Sequence, residues 1–234
     1  MRTLGIIGGI GPESTIEYYR LLIAGYRERI SDGSYPPLLI DSIDVNKMLA
    51  LVAQGSREEL VKYLLDNVFQ LARAGADFGL LAANTPHIAF SELSARSPIP
   101  LISIVQATCD FAKAHGLRRL GLFGTRFTMQ AGFYQEACAQ VGIELVTPGP
   151  NEQTYIHEKY MDELVKGLFL PETRARLLAI AKGLKEHQKI DGLILGGTEL
   201  PLILRDERDL GIPFLDTTRI HVNAALDEML RNVA

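Results

Sequence analysis

The sequence predicts an α/β fold made of two similar lobes, each a mostly parallel sheet flanked by helices. Short apolar runs alternate with amphipathic segments along the chain, which is typical of βαβ units. Several runs are apolar over their whole length, as in parallel strands that helices cover on both faces. The same strand-turn-helix pattern recurs in each half, and we expect the functional site in the cleft between the lobes.

The individual elements follow from these patterns. The clearest helix is expected over 56–74, where Ser56 and Glu59 have the spacing of a capping box. Further helices are expected over 171–188, which begins with a proline, and over 217–231. The predicted strands are 4–8, 38–43, 78–82, 101–104, 120–124, 144–146, 192–195 and 214–215.

The lobe boundaries are placed at two stretches rich in proline or glycine. Pro98-Ile99-Pro100 is interpreted as the crossover between lobes, and residues 209–213 as the return. Lobe one is therefore predicted to comprise residues 1–98 plus 209–234, and lobe two residues 99–208.

Composition excludes several classes of function. The chain has 24 basic and 28 acidic residues among 234 and carries no basic cluster, so nucleic acid is not an expected partner. No apolar run approaches the ~18 residues of a membrane span, and the N-terminus is interpreted as a strand rather than a signal peptide. Cys109 and Cys138 lie in predicted helices without metal-ligand spacing, which favours unpaired buried thiols in a cytoplasmic protein.

Two polar turns follow apolar runs in corresponding places of the two halves: Ala83-Asn84-Thr85 and Gly197-Thr198-Glu199. Their amide and hydroxyl groups have the chemistry to hold a carboxylate at the end of a strand. Capping and turn formation are the structural alternatives for Asn84 and Thr85. Charging of the first turn of the next helix is the alternative for Glu199. A third turn, Gly8-Gly9-Ile10-Gly11-Pro12, lets the backbone approach an anion or is simply tight.

These segments together resemble the aspartate/glutamate racemase family. The two polar turns resemble its Cys-Asn-Thr-x-His and Gly-Cys-Thr-Glu-Leu signatures, and residues 8–12 resemble its Gly-Gly-Met-Gly-Pro opening. Residues 124–129, 162–167 and 216–221 resemble its Gly-Thr-x-x-Thr-Met, Glu-Leu-x-x-Gly and Asp-Thr-Thr-x-x-His elements. The similarity runs from the first strand to the last helix.

The resemblance implies a cofactor-independent racemase, without a metal, that acts on a small amino acid or carboxylate and forms a homodimer. His87, Asp216 and His221 are implied as groups that orient their neighbours, although a hydrogen-bonded structural histidine and a capping Asp216 are equally consistent with the sequence. Lys166 is a substrate ligand by resemblance, or else a solvated residue at a helix end. The implied substrate-binding residues are Gly9, Ile10, Asn84, Thr85, Thr125, Thr128, Lys166, Thr198 and Glu199.

The two family cysteines, which act as acid and base on opposite faces of Cα, are replaced here by Ala83 and Gly197. Three interpretations remain open: a racemase that uses other bases, a lyase or isomerase of a small carboxylic acid, and a carboxylate- or amino-acid-binding protein without catalysis. After the second strand, where the family often carries an arginine for acidic substrates, Lys47 is the basic residue of the stretch 41–47.

Overall fold

The computed structural model describes residues 1–204 and 210–231. They form two compact units, one comprising Met1–Ile104 with the chain from Thr218 onward, and the other Val105–Thr217. Each unit holds a four-stranded parallel sheet flanked by helices, as predicted.

The first sheet has the strand order β2-β1-β3-β4. Its strands are β1 (Leu4–Gly8), β2 (Leu38–Ser42), β3 (Phe78–Leu81) and β4 (Leu101–Ile102). The helices of this unit are α1 (Pro12–Arg29), α2 (Val45–Ala53), α3 (Arg57–Arg73), α4 (Phe90–Arg96) and most of α11 (Thr217–Leu230), with a 3₁₀ turn at Thr85–Ala89.

The second sheet repeats this order as β6-β5-β7-β8. Its strands are β5 (Arg119–Gly124), β6 (Glu144–Val146), β7 (Gly192–Gly196) and β8 (Phe214–Asp216). The accompanying helices are α5 (Ile104–Ala114), α6 (Arg126–Gln130), α7 (Phe133–Gln140), α8 (Pro150–Asp162), α9 (Pro171–Gln188) and α10 (Leu200–Ile203), with a 3₁₀ turn at Leu164–Lys166.

Burial on both faces explains the continuous apolar strands. Ile7 and Leu81 pack into a core cluster with residues of α2 and α3, whereas Ile6 and Leu80 pack into a second cluster with residues of α1 and α11. Alternate side chains of a strand point to opposite faces, so a central strand covered twice must be apolar at every position.

The equivalence of the two halves is visible in the topology. β3 and β7 occupy the same place in their sheets, and so do β1 and β5. The polar turns after β3 and β7 therefore lie at matching strand ends within their units.

The division between the units differs from the predicted boundaries. β4 pairs with β3 in the first sheet, and β8 pairs with β7 in the second, whereas the prediction assigned these strands to the opposite lobes. An apolar run does not itself indicate which of two sheets it joins. Of the predicted return segment, Asp209 lies outside the described residues.

The capping box predicted for α3 is wrong. Ser56 precedes the helix, but its side chain accepts no capping hydrogen bond. Its backbone has φ −77° and ψ 66°, away from the extended conformation that a capping serine adopts. Acidic Glu58 and Glu59 in the first turn still complement the helix dipole.

No helix within residues 1–204 and 210–231 is long and apolar enough to cross a membrane.

Candidate functional site

The glycine-rich turn after β1 is tight and internally hydrogen-bonded. Gly9 and Gly11 have φ of 77° and 79°, a region that favours glycine. The Gly9 N–H donates to Thr15 Oγ1 at 2.8 Å, and Ser14 Oγ donates to the Ala82 carbonyl at 2.6 Å. The Gly9 amide is therefore occupied within the chain, and Ser14 ties the first turn of α1 to the end of β3.

Ile10 is buried at 7% exposure. It belongs to the apolar cluster that also contains Ile7 and Leu81. The side chain thus closes the core beneath the turn, and a role at the predicted site falls to its backbone.

The turn after β3 places a polar pair next to Ala83. Asn84 is buried, whereas Thr85 and Ala83 are half-buried. Thr85 begins a 3₁₀ turn with Pro86 in its first positions. Within the described chain, the Thr85 hydroxyl has no hydrogen-bond partner, so it is able to donate to a ligand.

His87 is buried, and its ring contacts residues of α4 and of the first turn of α5. Its Nε2 accepts the Ile104 N–H at 3.2 Å, and its ring stacks on Phe90 with 4.9 Å between centroids. Burial lowers its pKa to about 3, so the imidazole is neutral and carries its proton on Nδ1. That Nδ1 is buried without a hydrogen-bond partner.

His221 belongs to a second buried chain of hydrogen bonds. Its Nε2 donates to the Ile102 carbonyl at 3.0 Å, which leaves Nδ1 to accept the Tyr18 hydroxyl at 2.8 Å. Burial lowers the pKa of His221 to about 4. Both ring nitrogens of His221 are therefore hydrogen-bonded within the chain.

Of the two threonines after β5, Thr125 caps helix α6 and Thr128 lies within it. Thr125 Oγ1 accepts the Thr128 N–H at 3.3 Å and lies 3.1 Å from Thr128 Oγ1. Thr128 is fully buried, and its methyl group lies where side chains at Gly124 and Gly196 would project. Thr125 is half-buried and is the more accessible of the two predicted ligands.

The turn after β7 has no room for a side chain at its first position. A Cβ built on Gly197 would lie 2.5 Å from Cε2 and 2.7 Å from Oη of Tyr160, which projects from α8. The φ of Gly197 is not positive, so the obstacle is the ring rather than the backbone. The space into which a side chain at position 197 would project is therefore occupied by a phenol.

The Glu199 carboxylate accepts hydrogen bonds from two hydroxyl groups. Tyr160 Oη donates to Glu199 Oε2 in a short hydrogen bond, and Thr198 Oγ1 donates to the same oxygen at 2.8 Å. Glu199 is 9% exposed, and its side chain makes no capping hydrogen bond to α10. Burial and the nearby Glu199 charge raise the pKa of Tyr160 well above its usual value, so the phenol keeps its proton.

Three other residues singled out by the sequence are Lys166, Asp216 and Lys47. Lys166 is exposed and 3.8 Å from exposed Asp162, a surface pair that contributes little. Asp216 is half-buried at the end of β8. Lys47 lies 4.4 Å from the centroid of the Tyr63 ring, where the cation–π contact engages its ammonium group.

Cys109 and Cys138 are fully buried free thiols of unit two, as the sequence predicts. Their sulfurs lie 2.7 Å apart. The hydrogen bond to Cys138 and burial both raise the pKa of Cys109. An unexposed thiol held in its neutral form is not a substitute for a catalytic thiolate.

Tyr160 is the residue that sequence reasoning did not identify. A tyrosine within a helix is usually a core residue, and its contact with Glu199 spans 39 positions. The sequence offers one indirect indication of Tyr160. A glycine directly after β7 leaves a space beside the strand, and a side chain from elsewhere in the chain must fill it. Within the described ranges, no group of three or more His, Cys, Asp or Glu has the arrangement of a metal site.

Residues 7–225 match the family model described as Asp/Glu/Hydantoin racemase. The chain is 27% identical over 176 residues to glutamate racemase of Aquifex aeolicus, covering 74% of this chain and 66% of that enzyme. It therefore spans slightly less than two thirds of the length of that relative.

Two solved structures superpose on nearly the whole chain. One, from Yersinia pestis, was described as a candidate Asp/Glu racemase; it has a TM-score of 0.92 and 32% identity, with coverage of 98% of this chain and 100% of that chain. The other is an aspartate racemase homologue from Pyrococcus horikoshii, with a TM-score of 0.87, 32% identity, and coverage of 98% and 99%.

Proposed function

Because the chain belongs to the Asp/Glu/hydantoin racemase family, we propose that it is a cofactor-independent isomerase that transfers a proton at the Cα of a small amino acid. One observation carries the proposal. The turns Ala83-Asn84-Thr85 and Gly197-Thr198-Glu199 follow equivalent strands of two sheets with the same order. The family resemblance assigns both turns to one substrate and also supplies the further proposal of a homodimer. The unpaired buried thiols of Cys109 and Cys138 support the further proposal of a cytoplasmic location.

The turn after β3 supports recognition of a carboxylate. The half-buried Thr85 hydroxyl has its proton available, and Asn84 adds an amide beside it. Hydrogen bonds to a charged acceptor are the stronger kind, and partial burial strengthens them further. Thr125 at the equivalent end of β5 and Lys166 belong to the proposal as further substrate ligands, as do the backbones of Gly9 and Ile10 and the buried Thr128.

A second candidate function is favoured by the two missing thiols. Ala83 and Gly197 have no ionisable atom, and the Tyr160 phenol that fills the second position keeps its proton. Removal of an α-proton needs a base, and inversion needs a proton donor on the opposite face. Binding of an amino acid or small carboxylate without turnover is therefore the alternative to racemisation.

The two candidates are separated by incubating the protein with L- and D-amino acids in heavy water. Racemisation gives loss of the α-proton signal in NMR together with the opposite enantiomer on a chiral column. Binding alone raises the melting temperature and leaves the α-proton intact. The variant that combines Asn84→Ala with Thr85→Val is expected to lose either effect, and an unchanged response would place the ligand elsewhere.

A further inference from the structure

Glu199 is a buried carboxylate whose hydrogen-bond partners are neutral hydroxyl groups. It is 9% exposed, and no cationic side chain pairs with it among residues 1–204 and 210–231. The chain contains an instructive contrast in Glu163, which is 8% exposed and pairs with Lys159. An unpaired buried carboxylate is costly, and a cation that binds beside it recovers part of that cost.

The two hydroxyl groups beside Glu199 already use their protons in hydrogen bonds to it. Tyr160 and Thr198 both donate to Oε2, the acceptor oxygen of the carboxylate. A hydroxyl has one proton, so each oxygen has only lone pairs left for a ligand. The cluster is therefore suited to accept hydrogen bonds and poorly suited to bind another carboxylate.

The hydrogen bond between Tyr160 and Glu199 requires a glycine at position 197. A Cβ at this position would overlap the Tyr160 ring and displace its Oη from Glu199. The glycine in place of the family cysteine and the phenol beside the carboxylate are thus two parts of one feature. Thr198 is half-buried, which gives the cluster an accessible edge.

We propose that the Glu199 carboxylate, with the oxygens of Tyr160 and Thr198, binds a primary ammonium group. This proposal rests on the proposed function, in which the ammonium group is the α-ammonium of the amino acid. The protein then selects amino acids over the corresponding carboxylic acids that lack an amino group. A primary ammonium has three N–H donors, which matches a carboxylate flanked by two hydroxyl acceptors.

The test measures dissociation constants by calorimetry for L-aspartate, for succinate, which lacks the ammonium group, and for ethylamine, which lacks the carboxylates. Wild type is expected to bind aspartate more tightly than succinate. Glu199→Gln should weaken aspartate binding by about ten- to a hundredfold, the range for a charged hydrogen bond, and leave succinate unchanged. Tyr160→Phe should weaken it less, since the carboxylate remains.

Glu163→Gln is the matched control, because it removes an equally buried carboxylate that already has a cationic partner; it should preserve the selectivity. Circular dichroism verifies that each variant is folded. Equal affinities for aspartate and succinate in wild type, or unchanged aspartate binding in Glu199→Gln, would overturn the ammonium site while leaving carboxylate recognition intact.

Failure of the proposed function has a different signature. If wild type binds no amino acid, Glu199-dependent binding of ethylamine would support the ammonium site alone. Absence of amine binding as well would overturn both proposals. Ammonium chloride at the same concentration distinguishes an organic amine from the free cation.

Discussion

The Tyr160 phenol occupies the space into which a side chain at Gly197 would project, with Oη 2.7 Å from the built Cβ. We expect Gly197→Ala to destabilise the protein by about 1–3 kcal/mol, the usual cost of overpacking. In a Tyr160→Leu background the same change should cost less, because the ring is gone. Urea denaturation of the four proteins of this cycle measures the coupling.

Gly183→Ala is the matched control for that cycle. Gly183 lies inside α9 with open space around its built Cβ, so alanine should stabilise the helix by up to ~1 kcal/mol. Equal effects of Gly197→Ala in both backgrounds would show that Tyr160 is not the obstacle.

The two buried histidines should make stability depend on pH. His87 and His221 have pKa values lowered by burial to about 3 and about 4, whereas the unfolded chain binds protons near 6.5. The unfolded state therefore binds more protons at acidic pH, and stability that is complete above 6.5 falls as the pH decreases. Between pH 6 and 5 the two groups together give a slope of up to ~2.7 kcal/mol per pH unit.

Denaturation midpoints and free energies measured from pH 8 to pH 5 test this expectation. His221→Gln removes one of the two groups and should reduce the slope by about half. A free energy of unfolding that stays constant between pH 7 and pH 5 would contradict burial of neutral imidazoles.

The thiols of Cys109 and Cys138 should be protected in the native protein. Both are fully buried, and their contact and burial disfavour the reactive thiolate of Cys109. We expect a thiol reagent to label neither residue under native conditions and both after denaturation in urea. Rapid labelling of the native chain would show that the α5–α7 contact opens readily.

The sheets were predictable from sequence, whereas the side-chain clusters were not. Each predicted strand overlaps an observed one, since strands covered on both faces must be apolar throughout. The assignment of β8 to the second sheet depends on long-range pairing with β7. A linear pattern carries no such information.

The candidate site shows the same limit at the level of single residues. Asn84, Thr85, Thr198 and Glu199 follow strand ends, as their sequence positions predict. Tyr160 reaches Glu199 only through the packing of α8, and neighbours in sequence do not indicate it. The protonation of the cluster likewise depends on burial, which appears only in three dimensions.

The resemblance assigns the family's two cysteines to positions 83 and 197, and installing thiols there tests whether their absence limits catalysis. Wild type should racemise aspartate far more slowly than an ordinary enzymatic rate of roughly 1–1000 per second. Ala83→Cys alone should give exchange of the α-proton in heavy water with little inversion, since a single base returns the proton to the face it came from. The half-buried position of Ala83 leaves the new thiol accessible.

Inversion requires the second thiol, and the structure dictates how it must be introduced. Gly197→Cys meets the Tyr160 ring, so it is combined with Tyr160→Leu, which leaves Glu199 and Thr198 in place. The triple variant Ala83→Cys, Gly197→Cys and Tyr160→Leu should convert L- to D-aspartate faster than wild type, and Tyr160→Leu alone should not. Chiral chromatography and NMR follow both products. If wild type already inverts an amino acid at an ordinary rate, other groups transfer the proton and the lost thiols do not disable the site.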